Sequence, residues 1–223
     1  MKLIFCLCVY LCFALANVFA AATASEEQSV TSPQPAPGTP PANLPPYPQI
    51  DPSRQLKGAD LVGALRAGGL VLYLRHTDTG RVTRDCLETN LSPLGEEQAK
   101  RLGAALRNLK IPFGQIESSE VCRVQDTARL IGAGAFQTNE DLNNMPKRPG
   151  HDVHAARMRR LAVPPARGTN TLLVAHVHDA QPLHQRLSLE IGEVIVFRPD
   201  GKGGSEAVAR IRLTDWLELE GYR

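Results

Sequence analysis

The chain reads as an α/β protein, a three-layer α/β/α fold with a mostly parallel central sheet. Three observations predict it. Apolar runs without helical spacing, "VLYL" at 71–74 and "TLLVA" at 171–175, suit strands buried on both faces. Between them stand segments whose apolar residues recur at helical spacing, the clearest being "LSPLGEEQAKRLGAALRNLK" at 91–110. The two kinds of segment alternate, which is the pattern of βα units building a parallel sheet with helices on both faces.

Taken in order, "LKGADLVGALRAGG" (56–69) predicts a short helix, with Leu61 and Leu65 on one face and a glycine pair as its stop. The strand 70–75 follows. In the next helix Ser92 can cap, Pro93 suits the first turn, and Ala99, Leu102, Leu106 and Leu109 share a face. "FGQIESS" (113–119) predicts a second strand, and "EVCRVQDTARLIGAG" (120–134) a helix carrying Arg123 in its first turn. "TLLVAH" (171–176) is a third strand with His176 at its end. "EVIVFRPDGKGGSEAVARIRL" (193–213) has two strand-like runs around a glycine-rich turn, a hairpin signal, and "TDWLELE" is a closing helix. The segment 134–170 is expected to shape a pocket entrance, with Lys147, Arg148, Arg157, Arg159 and Arg160 either available to an anion or simply solvated.

Three regions differ in composition. Residues 1–24 have Lys2 near the start, an apolar stretch and small residues at Ala20, Ala22 and Ala24, the pattern of a secretory signal. An uncleaved anchor is the alternative, since the apolar run is near bilayer length. Residues 25–50 hold eight of the 17 prolines and read as an extended polyproline II tether. Residues 51–223 are enough for one domain with its own core. The expected location is periplasmic or secreted, with no stable membrane span after cleavage.

A net charge of +2 gives no basic field for nucleic acid, and aromatics are too scarce for a base-stacking surface. Of five cysteines, Cys6, Cys8 and Cys12 leave with the signal, so Cys86 and Cys122 are expected to form one disulfide.

Ligands of open α/β sheets sit outside the carboxyl ends of the strands. Arg75, His76, Arg123 and His176 all fall at or just past a predicted strand end. Two arginines can fork onto the oxygens of a dianion, and the helix starting near Glu120 adds backbone donors. A neutral histidine there can attack phosphorus, and a second can donate to the equatorial oxygens. These cations already supply a positive field, so the expected cofactor is none and the expected partner a small phosphorylated substrate.

On these residues the chain resembles the histidine phosphatase superfamily, the phosphoglycerate mutase-like group. "LYLRHTDT" is similar to that family's Arg-His motif. The stretch "LSPLGEEQAKRLGAALRNLKIPFGQIESSEVCRVQDTARL" is similar to the part running through the second arginine, and "TNTLLVAHVHDAQ" to the strand with the second histidine. The resemblance implies a phosphoglycerate mutase-like fold and a metal-independent phosphatase working through a covalent phosphohistidine on His76. Arg75 and Arg123 would hold phosphate, and His176 would complete the pocket. The secretory signal and paired cysteines resemble the family's exported bacterial branch.

Two departures stand out. Thr77 replaces a frequent glycine. In "EDLNNM" (140–145), Asn144 falls where mutase-like members carry a glutamate general acid. Glu140, Asp141 and Asp179 are substitutes, with Asp179 first, because another branch places an acid directly after its second histidine. Two rival readings remain open. One is a metal hydrolase built on "HVHD" (176–179) and "HDVH" (151–154), though no further cluster completes four ligands. The other is a non-catalytic module binding phosphorylated envelope sugars or lipids. His151, His154 and His184 are expected to have no special role.

Overall fold

β-Branched and bulky apolar residues at 71–75 and 170–175 form two adjacent central strands, and the rest of the molecule is arranged around that pair. The computed structural model describes residues 49–83, 86–177 and 189–222, with the side chains at 82–88 not described. The expected secretory signal, all but the end of the expected proline-rich tether, His178, Asp179 and His184 lie outside the described residues.

The elements are α1 (Gly58–Ala67), β1 (Val71–Arg75), β2 (Thr79–Thr83), β3 (Cys86–Leu91), α2 (Pro93–Asn108), β4 (Phe113–Ser118), α3 (Cys122–Ile131), β5 (Gln137–Thr138), α4 (Val153–Leu161), β6 (Asn170–Ala175), β7 (Val194–Pro199), β8 (Ser205–Ile211) and α5 (Asp215–Leu219). Short 3-10 turns occupy Glu140–Leu142 and Glu220–Tyr222. Six strands form one sheet in the order β5-β4-β6-β1-β7-β8. The pairs β5–β4, β4–β6 and β6–β1 are parallel, and β1–β7 and β7–β8 antiparallel. The sheet is therefore mixed: the predicted hairpin, β7–β8, joins it beside β1 with β7 reversed.

Alternation along the strands sorts the core into two layers. Leu72, Leu74, Leu172, Val174, Val194 and Val196 pack with α1, α2, α3 and Trp216 of α5. Val71, Tyr73, Leu173, Ala175, Ile195 and Phe197 face Leu142 and Leu161 on the other side, where α4 lies. The predicted face of α2 is buried at Ala99, Leu102, Leu106 and Leu109. Its neighbour α3 approaches closely, because a Cβ on Gly103 would stand 2.0 Å from the Ile131 carbonyl oxygen. Only glycine fits there without moving a backbone.

The two-stranded ribbon β2–β3 was not expected. Its sequences "TGRVT" and "CLETNL" show neither an apolar run nor clean alternation, so nothing marks them as strands. The disulfide expectation requires correction. Such a bond is a statement about two sulfurs about 2 Å apart, and Cys86 has no described side chain. Cys122 opens α3 and is disulfide-bonded. No disulfide joins two described side chains, and the expected Cys86–Cys122 pairing, whose Cys86 sulfur lies outside the described residues, is not carried further. Among the described residues no helix is long and apolar enough to cross a membrane.

Candidate active site

The parallel strands β1, β4 and β6 end together, with Arg75 level with Ala175 and Ser118 level with Val174. The ladder continues one step further: His76 N donates to Ala175 O at 3.0 Å, and Ser119 N to Val174 O at 3.0 Å. That continuation holds the backbone of His76 and Ser119 rigidly at the rim. A cavity of about 250 Å³ opens there, lined by Arg75, His76, Thr79, Thr89, Arg123, Asn144, His176 and Val177. The four residues singled out at the strand ends thus meet in one pocket.

The loop after β1 is clamped on two sides. Ser92 Oγ caps α2 by accepting from Gly95 N at 3.0 Å and donates to Asp78 Oδ2 at 2.5 Å. A Cβ on Gly95 would lie 2.0 Å from the Asp78 carbonyl oxygen, so the helix start sits directly on the loop. On the other side, Thr77 N donates to Thr127 Oγ1 at 3.3 Å, and Thr127 Oγ1 donates to the Arg123 carbonyl at 2.8 Å. Loop and α3 are thereby tied together, which places Arg123 opposite His76.

The ring of His76 is 7% exposed with the rest of its residue. Its Nδ1 lies 2.8 Å from the Thr77 carbonyl oxygen, which can only accept, so Nδ1 carries the proton. Nε2 then holds a lone pair and accepts from Arg123 Nε at 3.3 Å. Burial, with Arg123 and Arg75 nearby, lowers the pKa of His76 from 6.5 to about 4, against the opposing Thr77 hydrogen bond. At neutral pH the imidazole is uncharged and nucleophilic.

His176 stands beside it, ring centroids 5.4 Å apart and planes at 73°. Arg123 Nη2 donates to its Nδ1 at 3.3 Å, and its Nε2 meets Ser119 Oγ at 3.0 Å. Burial first, then His76, Arg123, Arg157 and Arg75, lower its pKa to about 2. Arg75 is anchored by a 2.7 Å bond from Nη1 to the Leu189 carbonyl.

Several expectations are revised by this geometry. The backbone donors of Glu120 and Val121 are occupied, by Asn143 Oδ1 at 3.0 Å and Ser119 Oγ at 3.3 Å. Among the basic residues of 134–170, Lys147 pairs with Glu120, Arg148 with Glu140 and Arg160 with Glu117. Arg157 is fully buried and donates to the carbonyls of Asp141, Leu142 and Asn143. Three of these charges are thus paired and Arg157 is buried, while Arg159 is exposed.

Asn144 lines the pocket, and its Oδ1 is buried without a hydrogen-bond partner. Glu140 and Asp141 do not line it. They form a cluster with His151, in which Asp141 bonds His151 at 2.7 Å. No carboxylate lines the pocket among the described residues. Of "HDVH", Asp152 caps α4 by accepting from His154 N and Ala155 N, and His154 is buried on that helix. Sequence reasoning missed Thr79, Thr89, Ser119 and Asn143. A short polar side chain after a strand is too common a signal to single out.

Residues 71–147 match the sequence profile described as the histidine phosphatase superfamily (branch 1). No curated protein matches the chain in sequence. Among solved structures, the chain is similar to the protein histidine phosphatase SixA complexed with tungstate, with TM-score 0.50 and 14% identity over 66% of this chain and 98% of that one. It also resembles a phosphoserine phosphatase mutant from Entamoeba histolytica in complex with phosphoserine, with TM-score 0.44 and 13% identity over 63% and 95% of the two chains.

Proposed function

We propose that the chain is a histidine phosphatase that hydrolyses a small phosphorylated substrate at His76, favouring leaving groups that need no protonation, a reading supported by the profile match over residues 71–147. On this reading the chain works by phosphohistidine-based hydrolysis of a small phosphomonoester. The observation carrying the residue assignment is the lone pair on His76 Nε2, held by the Nδ1–H bond to Thr77 and facing Arg123 across the pocket.

The steps follow from the atoms present. The Nε2 lone pair attacks phosphorus, and the bond to the leaving group breaks with its electron pair departing on that group. Arg75, Arg123 and His176 surround the phosphoryl oxygens, where the developing charge is spread. Water then attacks the phosphohistidine, the P–N bond breaks, and its pair returns to Nε2. The water's proton leaves to solvent.

The leaving-group preference is supported by Asn144, whose amide cannot serve as a general acid. Acyl phosphates, aryl phosphates and phosphoramidates depart without a proton donor far more readily than sugar or alkyl phosphates. Asp179 would supply the acid if its side chain reached the pocket. Export to the periplasm or medium is proposed from the secretory pattern of residues 1–24, and it would restrict substrates to those outside the cytoplasm.

The test is turnover by residues 25–223 of an aryl phosphate, with and without a chelator. Steady hydrolysis unaffected by chelator is expected. Activity abolished by chelator and restored by zinc would overturn the proposal in favour of a metal hydrolase, and phosphate binding without turnover would favour a binding module.

A further inference from the structure

Ser119 has a single proton, and its neighbours decide where that proton points. Its Oγ donates to Asn143 Oδ1 at 2.9 Å. The direction of that amide is fixed, because the same oxygen accepts from Glu120 N at 3.0 Å while Nδ2 donates to Glu120 Oε2 at 2.7 Å. Turning the amide over would set donor against donor and oxygen against carboxylate. With its proton committed to Asn143, Ser119 Oγ can only accept from His176 Nε2 at 3.0 Å, so Nε2 carries hydrogen. The opposite edge of the ring agrees. Arg123 Nη2 can only donate, and it lies 3.3 Å from Nδ1, which must offer a lone pair.

Both positioning groups are well held. Ser119 is fully buried, Asn143 is 5% exposed, and the Asn143 carbonyl accepts from the buried Arg157. Nδ1 of His176 therefore faces the pocket as an acceptor, whereas a phosphoryl group presents only acceptor oxygens to it.

We propose that Ser119 and Asn143 are positioning residues that lock His176 in its Nε2–H tautomer, so that the pocket takes up a proton on Nδ1 of His176 with each phosphoryl dianion it binds. The inference rests on the reading of this pocket as the phosphoryl site. The proton comes from solvent and returns when phosphate leaves. In the empty pocket His76, Arg123, Arg157 and Arg75 all disfavour a charge on His176, and Tyr73 Oη donates to its carbonyl at 2.9 Å. A bound dianion reverses the sign of that field, so the cations that keep the empty site neutral no longer prevent protonation. Binding and protonation are then linked, and anion affinity rises as pH falls.

The experiment uses the protein with 15N-labelled histidine and sulfate as the probe, an anion with no proton of its own to contribute near neutral pH. Nitrogen shifts and long-range couplings of His176 should show hydrogen on Nε2 alone without sulfate, and on both nitrogens with it. Calorimetry in buffers of different ionisation enthalpy should record proton uptake on binding. Ser119→Ala and Asn143→Leu should release the ring to the other tautomer and remove most of that uptake, while Ser119→Thr retains it. A proton on Nδ1 in sulfate-free protein, or a neutral His176 ring with sulfate bound, would overturn the proposal. If the variants do not fold, the wild-type ring signals decide alone. Ring protonation is read without turnover, so a failure of the phosphatase reading shows up separately, as absent hydrolysis.

Discussion

The guanidinium of Arg123 donates through Nε to Nε2 of His76 at 3.3 Å, while its Nη2 reaches Nδ1 of His176 at the same distance. One planar fork thus sets the spacing of the two rings. A lysine has the charge but cannot span both nitrogens in a fixed geometry. Arg123→Lys should lower kcat/KM by about 10²-fold or more, the scale seen when one preorganised donor is removed. Steady-state kinetics on an aryl phosphate, with thermal melts confirming the fold, check this.

The nucleophile assignment has a direct consequence. His76→Ala should remove turnover and leave the fold intact, because the residue sits at the rim beyond the β1 ladder. Wild-type enzyme quenched in alkali during turnover should carry the substrate's phosphoryl group on His76, since the phosphoramidate bond is lost in acid. Undiminished hydrolysis by the alanine variant would remove His76 from this role.

His76 must be uncharged to attack. Its pKa is lowered to about 4, chiefly by burial. The acid limb of kcat/KM should therefore bend near pH 4 to 5 and not near the ordinary histidine value of about 6.5. A pH–rate profile on a substrate that does not itself titrate in that range is the measurement.

The same two histidines bear on stability. Folded, they resist protonation down to about 4 for His76 and about 2 for His176, whereas unfolded they protonate near 6.5. Below pH 6.5 the unfolded state binds more protons, so stability falls as pH falls. Each buried ring contributes a slope of about 1.4 kcal/mol per pH unit until its folded pKa is reached. Denaturant melts between pH 7 and 4 should show this decline, and His76→Asn with His176→Asn should flatten it.

The identity of residue 144 predicts a leaving-group dependence. Without a proton donor, hydrolysis should lose roughly 10²–10⁴-fold from aryl to sugar phosphates. Asn144→Glu should help the poor leaving groups most, because position 144 faces the cavity. If Asp179 is the acid, Asp179→Asn should slow sugar phosphates strongly and aryl phosphates little. A series of esters of graded leaving-group pKa, run on wild type and both variants, separates these outcomes.

The amino-acid sequence by itself determined the main strands and helices, and with them the rim. "VLYL" and "TLLVA" are apolar on both faces because both faces are covered, and Arg75 and His176 follow where that demand ends. Arg123 was legible because it stands in the first turn of the helix that follows β4, on the side of the sheet where the parallel strands end. The ribbon β2–β3 was not, because its short polar strands carry no periodic signal. Only the tertiary structure decided the fate of the charges at 147–160. Sequence cannot say which carboxylate a lysine or arginine will meet, and here Glu120, Glu140 and Glu117 take three of them. It likewise decided the proton positions on the two rings. A tautomer depends on which atoms stand within about 3 Å of each nitrogen, and Thr77, Ser119, Asn143 and Arg123 come together there only when strand ends, a helix start and a distant loop are folded into contact.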